Sequence, residues 1–354
     1  MPPIGPQLTD PSELVAVAAI PPAHPALRDV AASLAQELGL AWVEDPARAD
    51  RGLLLTVTPK RLELRVLAGE PQLKGGKPVA PELARLDVSS PPGGRLNQPL
   101  FRAVGLKKGS SYRPRVLDAT AGFGEDAWLL ASKGCPTLAI ERNSVIATLL
   151  RDALRRVAEM QPVLAQRISV LHEDSREVLR AFQQRGHVEI PAEQPWHSTE
   201  QSEAAAERPA PAYAPAGQQP ASTSGGDTTP ANGVADAGGD RDEPRAFADY
   251  DREAGEADAA TPVIEWPAPD VVYIDPMFPT GRRAMERKPL RVLRKLVGGD
   301  IDSGELLALS LKVARHRVVA KRPRKAPPLG GREPTTYHRG RSLRYDVYVS
   351  HDTP

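Results

Sequence analysis

The order of residues in one stretch, 115–142, restricts the possible folds more than any other feature of the chain. Two short apolar runs each end in a carboxylate, Asp118 and Glu141. Between them lie a Gly122-Phe123-Gly124 turn and a helical pattern over 125–133. Strand, glycine turn, helix and a second strand with an acid at its end predict the first unit of a nucleotide-binding α/β sheet. Glycine suits the turn because a backbone without Cβ bends sharply and lets a ligand approach.

The glycine turn by itself leaves the nucleotide open. Gly122-x-Gly124-x-x-Ala127 fits the dinucleotide fingerprint, so an NAD-dependent oxidoreductase is one interpretation. A pyrophosphate prefers a helix N-terminus without competing anions. Here the turn is surrounded by carboxylates, those of Asp118, Glu125 and Asp126. Three carboxylates suit a ligand with a sulfonium and an ammonium group, and the pattern therefore favours S-adenosylmethionine.

A second stretch, 271–279, joins a β-branched apolar run to the loop Asp275-Pro276-Met277-Phe278-Pro279. Ligands of open α/β sheets bind outside the carboxyl ends of the strands, so we expect this loop to face the glycine turn. Asp275 and carbonyls held by Pro276 can accept the two hydrogens of an amine. Phe278 can stack on a base, as flipped-out bases usually require. The loop resembles the Asp/Asn-Pro-Pro-aromatic loop of methyltransferases that act on exocyclic nucleobase amines.

Taken together, these segments resemble the RsmJ family, the guanine-N2 methyltransferases of small-subunit ribosomal RNA. The resemblance rests on Asp118-Ala119-Thr120-Ala121-Gly122, Glu141-Arg142-Asn143, the 273–279 loop, Lys321-Arg322-Pro323 and Ala326-Pro327-Pro328. It implies an α/β fold with a class I (Rossmann-like) methyltransferase sheet and S-adenosylmethionine as cofactor. It further implies, as target and partner, a guanine near the 3′ end of 16S ribosomal RNA, free or in the assembled small subunit. One departure is Glu125, where the family carries Arg.

From the motifs and the resemblance we expect catalytic roles for Asp275, Pro276 and Phe278. The expected cofactor-binding residues are Asp118, Gly122, Gly124, Glu125, Asp126, Glu141, Arg142, Asp174, Ser175 and Asp275. Within this set, Glu141 should hold the ribose with Arg142 beside it. The resemblance implies adenine contacts for Asp174 and Ser175.

The net charge of +1 conceals an uneven distribution. Residues 191–262 hold 14 Asp or Glu and 4 Arg with no Lys, a net of −10, which leaves +11 for the rest. A basic body favours an RNA partner. The expected RNA-binding residues follow either the catalytic loop or a later predicted strand, 318–320, from whose end they should project: Arg282, Arg283, Arg287, Lys288, Lys321, Arg322 and Arg324.

Composition also divides the chain. We expect a small N-terminal α/β domain over 1–95 and a methyltransferase domain over 96–354, interrupted by a disordered acidic insert over 188–262. Residues 191–262 lack Ile, Leu and Met and cannot bury enough apolar surface to offset ordering entropy. In the methyltransferase domain we predict a helix over 144–159 capped by Ser144, and an antiparallel last strand over 343–349.

Several classes are disfavoured. A single cysteine, Cys135, excludes an internal disulfide and fits a reducing cytoplasm, and we expect it to be a buried thiol. No Cys/His spacing predicts a metal site, and no apolar run predicts a secretory or membrane-spanning segment. Two alternatives stay open: an adenine-N6 or DNA amino-methyltransferase, and a non-catalytic RNA-binding module.

Overall fold

The computed structural model describes residues 10–67, 77–86, 88, 98–191, 263–277, 288–298 and 303–350. Most of the predicted acidic insert, residues 192–262, lies outside this part of the chain, as does the predicted domain boundary at 95/96. The first residues assigned to the insert, 188–191, belong to a strand.

The N-terminal part forms a four-stranded sheet with the strand order β2-β1-β3-β4. Its elements are α1 (Pro11–Leu14), β1 (Val15–Ala19), α2 (Pro25–Glu37), β2 (Ala41–Trp42), β3 (Leu53–Val57) and β4 (Leu62–Val66). Helix α2 begins with Pro25 at its first position, and Leu27, Val30, Ala31 and Leu34 form its buried stripe. β1 pairs in parallel with β2 and β3, whereas β3 and β4 form an antiparallel pair.

The larger sheet has seven strands in the order β12-β13-β11-β10-β5-β6-β7. The strands are β5 (Val116–Asp118), β6 (Thr137–Glu141), β7 (Ile168–His172), β10 (Val271–Ile274), β11 (Arg317–Pro323), β12 (Thr336–Arg339) and β13 (Leu343–Val349). β5, β6, β7, β10 and β11 are parallel, whereas β13 pairs antiparallel with both β11 and β12. The predicted antiparallel last strand is therefore confirmed, and β12 is an edge strand that the sequence patterns did not reveal.

Helices cover both faces of this sheet. They are α3 (Pro99–Ala103), α4 (Glu125–Ala131), α5 (Ser144–Ala158), α6 (Pro162–Ala165), α7 (Ser175–Arg185), α8 (Lys288–Val297) and α9 (Ser303–Val313). The prediction that Ser144 caps α5 is wrong by one residue. Asn143 is the N-cap, because its side-chain oxygen accepts a hydrogen bond from the Ile146 N–H at 3.1 Å.

Residues on either side of 192–262 form an antiparallel ribbon. β8 (His187–Pro191) pairs with β9 (Val263–Pro267), so that Pro191 lies opposite Val263. Trp266 and Ile190 are buried against the larger sheet's core. The chain therefore leaves and re-enters the described fold at neighbouring points.

The N-terminal sheet packs directly on the larger domain. One apolar cluster joins α2, β1 and β3 to Phe123 of the glycine turn, to Leu149 of α5 and to Leu293 of α8. The backbone N–H of Leu62 donates to the buried carboxylate of Asp152 on α5 at 3.3 Å. The small sheet thus supports the elements that carry the glycine turn. In the part of the chain described, no helix is long and apolar enough to cross a bilayer.

Candidate active site

A cavity of about 270 Å³ opens at the carboxyl edge of the larger sheet. Carboxylates from three strand ends reach it: Asp118 of β5, Glu141 of β6 and Asp275 just after β10. This is the edge at which open parallel sheets bind ligands. Of the expected cofactor-binding residues, those that line the cavity are Asp118, Gly122, Glu125, Asp126, Glu141, Arg142, Asp174, Ser175 and Asp275. Gly124 does not line it.

Gly124 lies on the side of the turn that faces α5. Its φ of +74° is in the left-handed region that glycine tolerates. A Cβ at this position would lie 2.5 Å from Cδ1 of Leu150 on α5. Gly122, with a φ of +53°, faces the cavity, and a Cβ there would lie 3.3 Å from Leu293. Gly124 is therefore favoured both by the turn and by the close approach of Leu150, whereas Gly122 is favoured mainly by its positive φ.

Glu141 is held rigidly at the end of β6. One carboxylate oxygen accepts the Gly122 N–H at 2.9 Å, and the other accepts the Asn143 N–H at 2.8 Å. The side chain is 5% exposed. These two backbone hydrogen bonds fix the carboxylate where it lines the cavity.

Asp118 is a buried carboxylate that accepts one backbone hydrogen bond, from the Thr120 N–H at 3.1 Å. Burial raises its pKa well above the usual value, and the nearby charges of Asp126 and Asp275 raise it further. A cationic ligand in the cavity would compensate this carboxylate, which is the chemistry that a sulfonium or ammonium group supplies.

Lys321 lies between two carboxylates at the far wall of the cavity. Its Nζ is 2.7 Å from Asp126 Oδ2 and 2.9 Å from Asp275 Oδ2. The hydroxyl of Tyr273 donates to the same Asp126 oxygen at 2.6 Å. Burial alone would lower the pKa of Lys321, but the attraction of Asp126 and Asp275 outweighs it and the pKa is raised. Lys321 is thus a fixed ammonium inside the site.

The loop after β10 faces the glycine turn, as the sequence predicts. Tyr273 is the register partner of Asp118, so β10 and β5 end side by side. The backbone N–H of Asp275 donates to Thr120 Oγ1 at 2.7 Å. Pro276 and Met277 follow, and Met277 also lines the cavity. Phe278 lies outside the described residues.

The N-terminus of α7 forms the third wall. Asp174 caps the helix by accepting the Arg176 N–H at 2.9 Å, and its other oxygen pairs with the Arg176 guanidinium at 2.6 Å. The hydrogen bond from Arg176 lowers the pKa of Asp174. Ser175 Oγ donates to the Ala119 carbonyl at 2.6 Å and keeps lone pairs that can accept.

The wall formed by α8 was missed from the sequence. Pro289, Leu290, Leu293 and Val297 line the cavity. Arg142 and Asn143 hold the end of this helix by donating to the carbonyls of Val297 and Leu296 at 3.3 and 3.1 Å. The signal that could have revealed this helix is the apolar spacing 290, 293, 297, which lies among basic residues.

The residues expected to contact RNA are placed unevenly. Arg282, Arg283 and Arg287 lie outside the described residues, and Lys288 donates to the Lys77 carbonyl at 3.1 Å. The expectation that Lys321 and Arg322 project beyond their strand is wrong, because β11 extends to Pro323 and includes both. Lys321 points into the cavity, whereas Arg322 is 4% exposed and donates to the Pro327 carbonyl. Arg324 is exposed at this edge.

Outside the site, Cys135 is fully buried, as expected. Burial raises the pKa of its thiol to about 12. Within the described residues, no group of three or more His, Cys, Asp or Glu side chains is arranged to hold a metal ion.

The sheet order, the glycine turn and the ring of carboxylates define a class I S-adenosylmethionine-dependent methyltransferase. A family model described as a putative SAM-dependent methyltransferase matches residues 34–206 and 253–350. A crystal structure of a SAM-dependent methyltransferase from Neisseria gonorrhoeae superposes with a TM-score of 0.55 at 21% identity, covering 96% of this chain and 97% of that one. That similarity supports the fold.

Curated relatives identify the family more closely. The ribosomal RNA small subunit methyltransferase J of Coxiella burnetii is 30% identical over 328 residues, covering 92% of this chain and 94% of the relative. The protein of the same name from Thioalkalivibrio sulfidiphilus is 32% identical over 326 residues with the same coverage. The chain belongs to the ribosomal RNA small subunit methyltransferase J family.

Proposed function

We propose that this protein transfers a methyl group from S-adenosylmethionine to the N2 amine of a guanine near the 3′ end of 16S ribosomal RNA. The observation that carries the proposal is the position of Asp275. Its backbone is tied to Thr120 of the glycine loop, and its carboxylate faces the same cavity as Asp118 and Glu141. The names of the relatives support small-subunit ribosomal RNA as the substrate class.

The cavity walls fit the donor. Asp118, Glu125 and Asp126 surround Gly122 and suit the cationic methionine end, since a buried carboxylate with a raised pKa gains most from a cation. Glu141 offers fixed acceptors for ribose hydroxyls, with Arg142 beside it.

For the adenine amino group we propose the lone pairs of Asp174 and Ser175 at the start of α7. The bound donor supplies a methyl carbon made electrophilic by its sulfonium.

The protein's contribution to the reaction is mainly positioning. Asp275 and the carbonyls beside Pro276 accept hydrogen bonds from the amine and leave the nitrogen lone pair directed at the methyl carbon. As the N–C bond forms, the S–C bond of the donor breaks, S-adenosylhomocysteine leaves, and the amine loses one proton to the Asp275 carboxylate. Phe278 is proposed to stack on the guanine. Aligning the reacting atoms in this way can provide a large part of the rate enhancement without a strong base.

Lys321 is a positioning residue for this step. Its ammonium lies 2.9 Å from the Asp275 carboxylate and also forms an ion pair with Asp126. Asp126 in turn accepts a hydrogen bond from the Tyr273 hydroxyl. Asp275 therefore has one preferred orientation before substrate arrives. We infer that Lys321 acts inside the site and does not bind the RNA backbone.

The test is methyl transfer from radiolabelled S-adenosylmethionine to 16S ribosomal RNA, followed by mass-spectrometric mapping of the modified nucleotide. We expect N2-methylguanine near the 3′ end with wild-type protein and no transfer with Asp275→Ala. Asp29→Ala, an exposed position on α2, is the matched control and should behave as wild type.

Methylation of adenine N6 or of DNA in the same assay would replace the proposed specificity with the amino-methyltransferase alternative. A protein that binds RNA but shows no donor affinity by calorimetry would be a non-catalytic RNA-binding module. For the cellular compartment we propose the cytoplasm, where the RNA substrate would be met.

A further inference from the structure

The outer edge of the larger sheet carries a concentration of positive charge that the donor site does not use. Residues 322–344 hold seven Arg or Lys and one Glu, a net charge of +6. Five of these cations are exposed: Arg324 and Lys325 after β11, Arg332 before β12, Arg339 at the end of β12, and Arg341 in the turn to β13.

An exposed aromatic side chain lies among these cations. Tyr337 on the edge strand β12 is 45% exposed. The Arg339 guanidinium lies 4.6 Å from the centre of its ring and donates to its hydroxyl at 2.8 Å. The contact orders both side chains, which presents a flat cationic and aromatic surface to solvent.

Strand register places these side chains near the carboxyl ends of the parallel strands, where the cavity opens. Arg339 of β12 lies opposite Arg344 of β13, which in turn lies opposite Arg322 of β11. One residue back along β11 is Lys321, which lines the cavity. Two strand spacings separate β11 from β12, a distance of about 10 Å.

The surrounding contacts keep the charge available. Asp346 is buried and is already paired with Arg344 at 2.7 and 3.0 Å, so it does not neutralise the exposed cations. Arg344 also donates to the Arg324 carbonyl at 2.9 Å, and the Arg324 N–H donates to the Ser342 carbonyl at 3.2 Å. These bonds fix the loop after β11 against the β12–β13 turn.

We propose that Arg324, Lys325, Tyr337, Arg339 and Arg341, here called the β12 edge surface, bind the single-stranded RNA segment that leads into the cavity. The proposal rests on the proposed function and adds where the substrate strand runs. The four cations contact phosphates, and the Tyr337–Arg339 pair stacks on a base. Aromatic rings and guanidinium planes are the groups on which unpaired RNA bases stack.

The positive charge of the β12 edge surface favours RNA over a protein as its partner. An edge strand can also pair with a strand of another protein. Flanking arginines instead favour a polyanion, and the bases of a single strand match an ordered aromatic ring. RNA binding through phosphates has a salt dependence that strand pairing between proteins lacks.

The first experiment measures binding of a fluorescein-labelled transcript of the 3′ region of 16S ribosomal RNA by anisotropy at several salt concentrations. The variant is Arg339→Gln/Arg341→Gln. The control is Arg185→Gln/Lys312→Gln, which removes two exposed cations. These two residues lie at the C-terminal ends of α7 and α9, at the opposite end of the strands from the cavity. Thermal unfolding confirms that both variants are folded.

Each lost contact to a single-stranded phosphate should reduce the slope of log K against log[salt] by about 0.7, so the edge variant should lose about 1.4. The control should keep the wild-type slope. In methyl transfer, the edge variant should show a KM for RNA raised about tenfold, with kcat and donor affinity unchanged.

A second pair of variants tests stacking. Tyr337→Ala should weaken RNA binding about tenfold, within the range known for loss of one base–aromatic stack, whereas Tyr337→Phe keeps the ring and should bind nearly as wild type.

Equal salt slopes and equal KM values for the edge and control variants would overturn the proposal, as would a wild-type protein with no affinity for the transcript. A lower affinity with an unchanged slope would also overturn it, because it would indicate a contact that does not involve phosphates. If wild-type protein binds the RNA but methylates nothing, the proposed function fails while the slope still decides the edge surface.

Discussion

Replacing Lys321 by Met removes the positive charge between Asp126 and Asp275 while keeping most of the side-chain volume. In the structure the two N···O distances are 2.7 and 2.9 Å. The side chains of Lys321 and Asp126 are 20% and 16% exposed, and that of Asp275 is 36% exposed. The substitution leaves two carboxylates close to buried Asp118 without their counter-charge.

The expected destabilisation follows from this geometry. Removing one partner of a fully buried ion pair costs about 3–5 kcal/mol. Water reaches Asp275 and screens part of the repulsion, so we expect a loss of about 2–4 kcal/mol in the free energy of unfolding. In a chain of this size that corresponds to a melting temperature lower by roughly 4–8 °C.

The pH dependence has a defined sign. The pKa of Lys321 is raised, so its stabilising contribution is present at neutral pH and is lost as the pH rises through that pKa.

The assay is thermal unfolding at several pH values together with methyl-transfer kinetics. Lys321→Met should reduce kcat about a hundredfold, because Asp275 loses its orientation, whereas Lys321→Arg should restore part of it. Lys312→Met, an exposed lysine at the end of α9, is the control. A Lys321→Met protein with the stability and kcat of that control would refute the positioning role.

Three further predictions concern the same loops. Gly124→Ala should lower the free energy of unfolding, measured by chemical denaturation, by about 1–3 kcal/mol more than Gly39→Ala does. Both glycines have a positive φ, but only at Gly124 would the new Cβ meet a neighbouring atom, at 2.5 Å. Thr120→Val should cost about 1–3 kcal/mol of stability and lower kcat, since the Asp275 N–H loses its acceptor, and Thr120→Ser should restore both. Binding of S-adenosylmethionine should tighten as the pH rises through the raised pKa of Asp118, with proton release on binding, because the cation favours the ionised carboxylate. Calorimetry in two buffers of different ionisation enthalpy measures that release, and Asp118→Asn should abolish it.

Much of the site could be predicted because its residues follow directly on short apolar runs. A parallel strand that ends in an acid brings that acid to the ligand edge whatever the rest of the chain does, so Asp118, Glu141 and Asp275 were found from local patterns. The helix α8 was missed because its basic residues obscured an apolar spacing. The edge strand β12 has four residues and no alternation strong enough to predict it.

The role of Lys321 could not be predicted at all. A lysine in a basic run is usually a surface charge, and whether it faces solvent or the cavity depends on whether β11 includes it and in which register. Because successive side chains of a strand point to opposite faces, a shift of that register by one residue would exchange the faces of Lys321 and Arg322. Register with β13 settles the point, and that register is formed by residues more than 20 positions away.

Local sequence features are enough to assign the methyltransferase class, since glycines, strand-end acids and the Asp-Pro-Met-Phe-Pro loop have a chemistry that does not depend on distant contacts. Long-range strand pairing assigns some charges to the donor site and others to the outer edge of the sheet. Tertiary packing also places the N-terminal sheet behind the glycine turn. These outcomes depend on pairings between residues far apart in the chain, and no local pattern contains them.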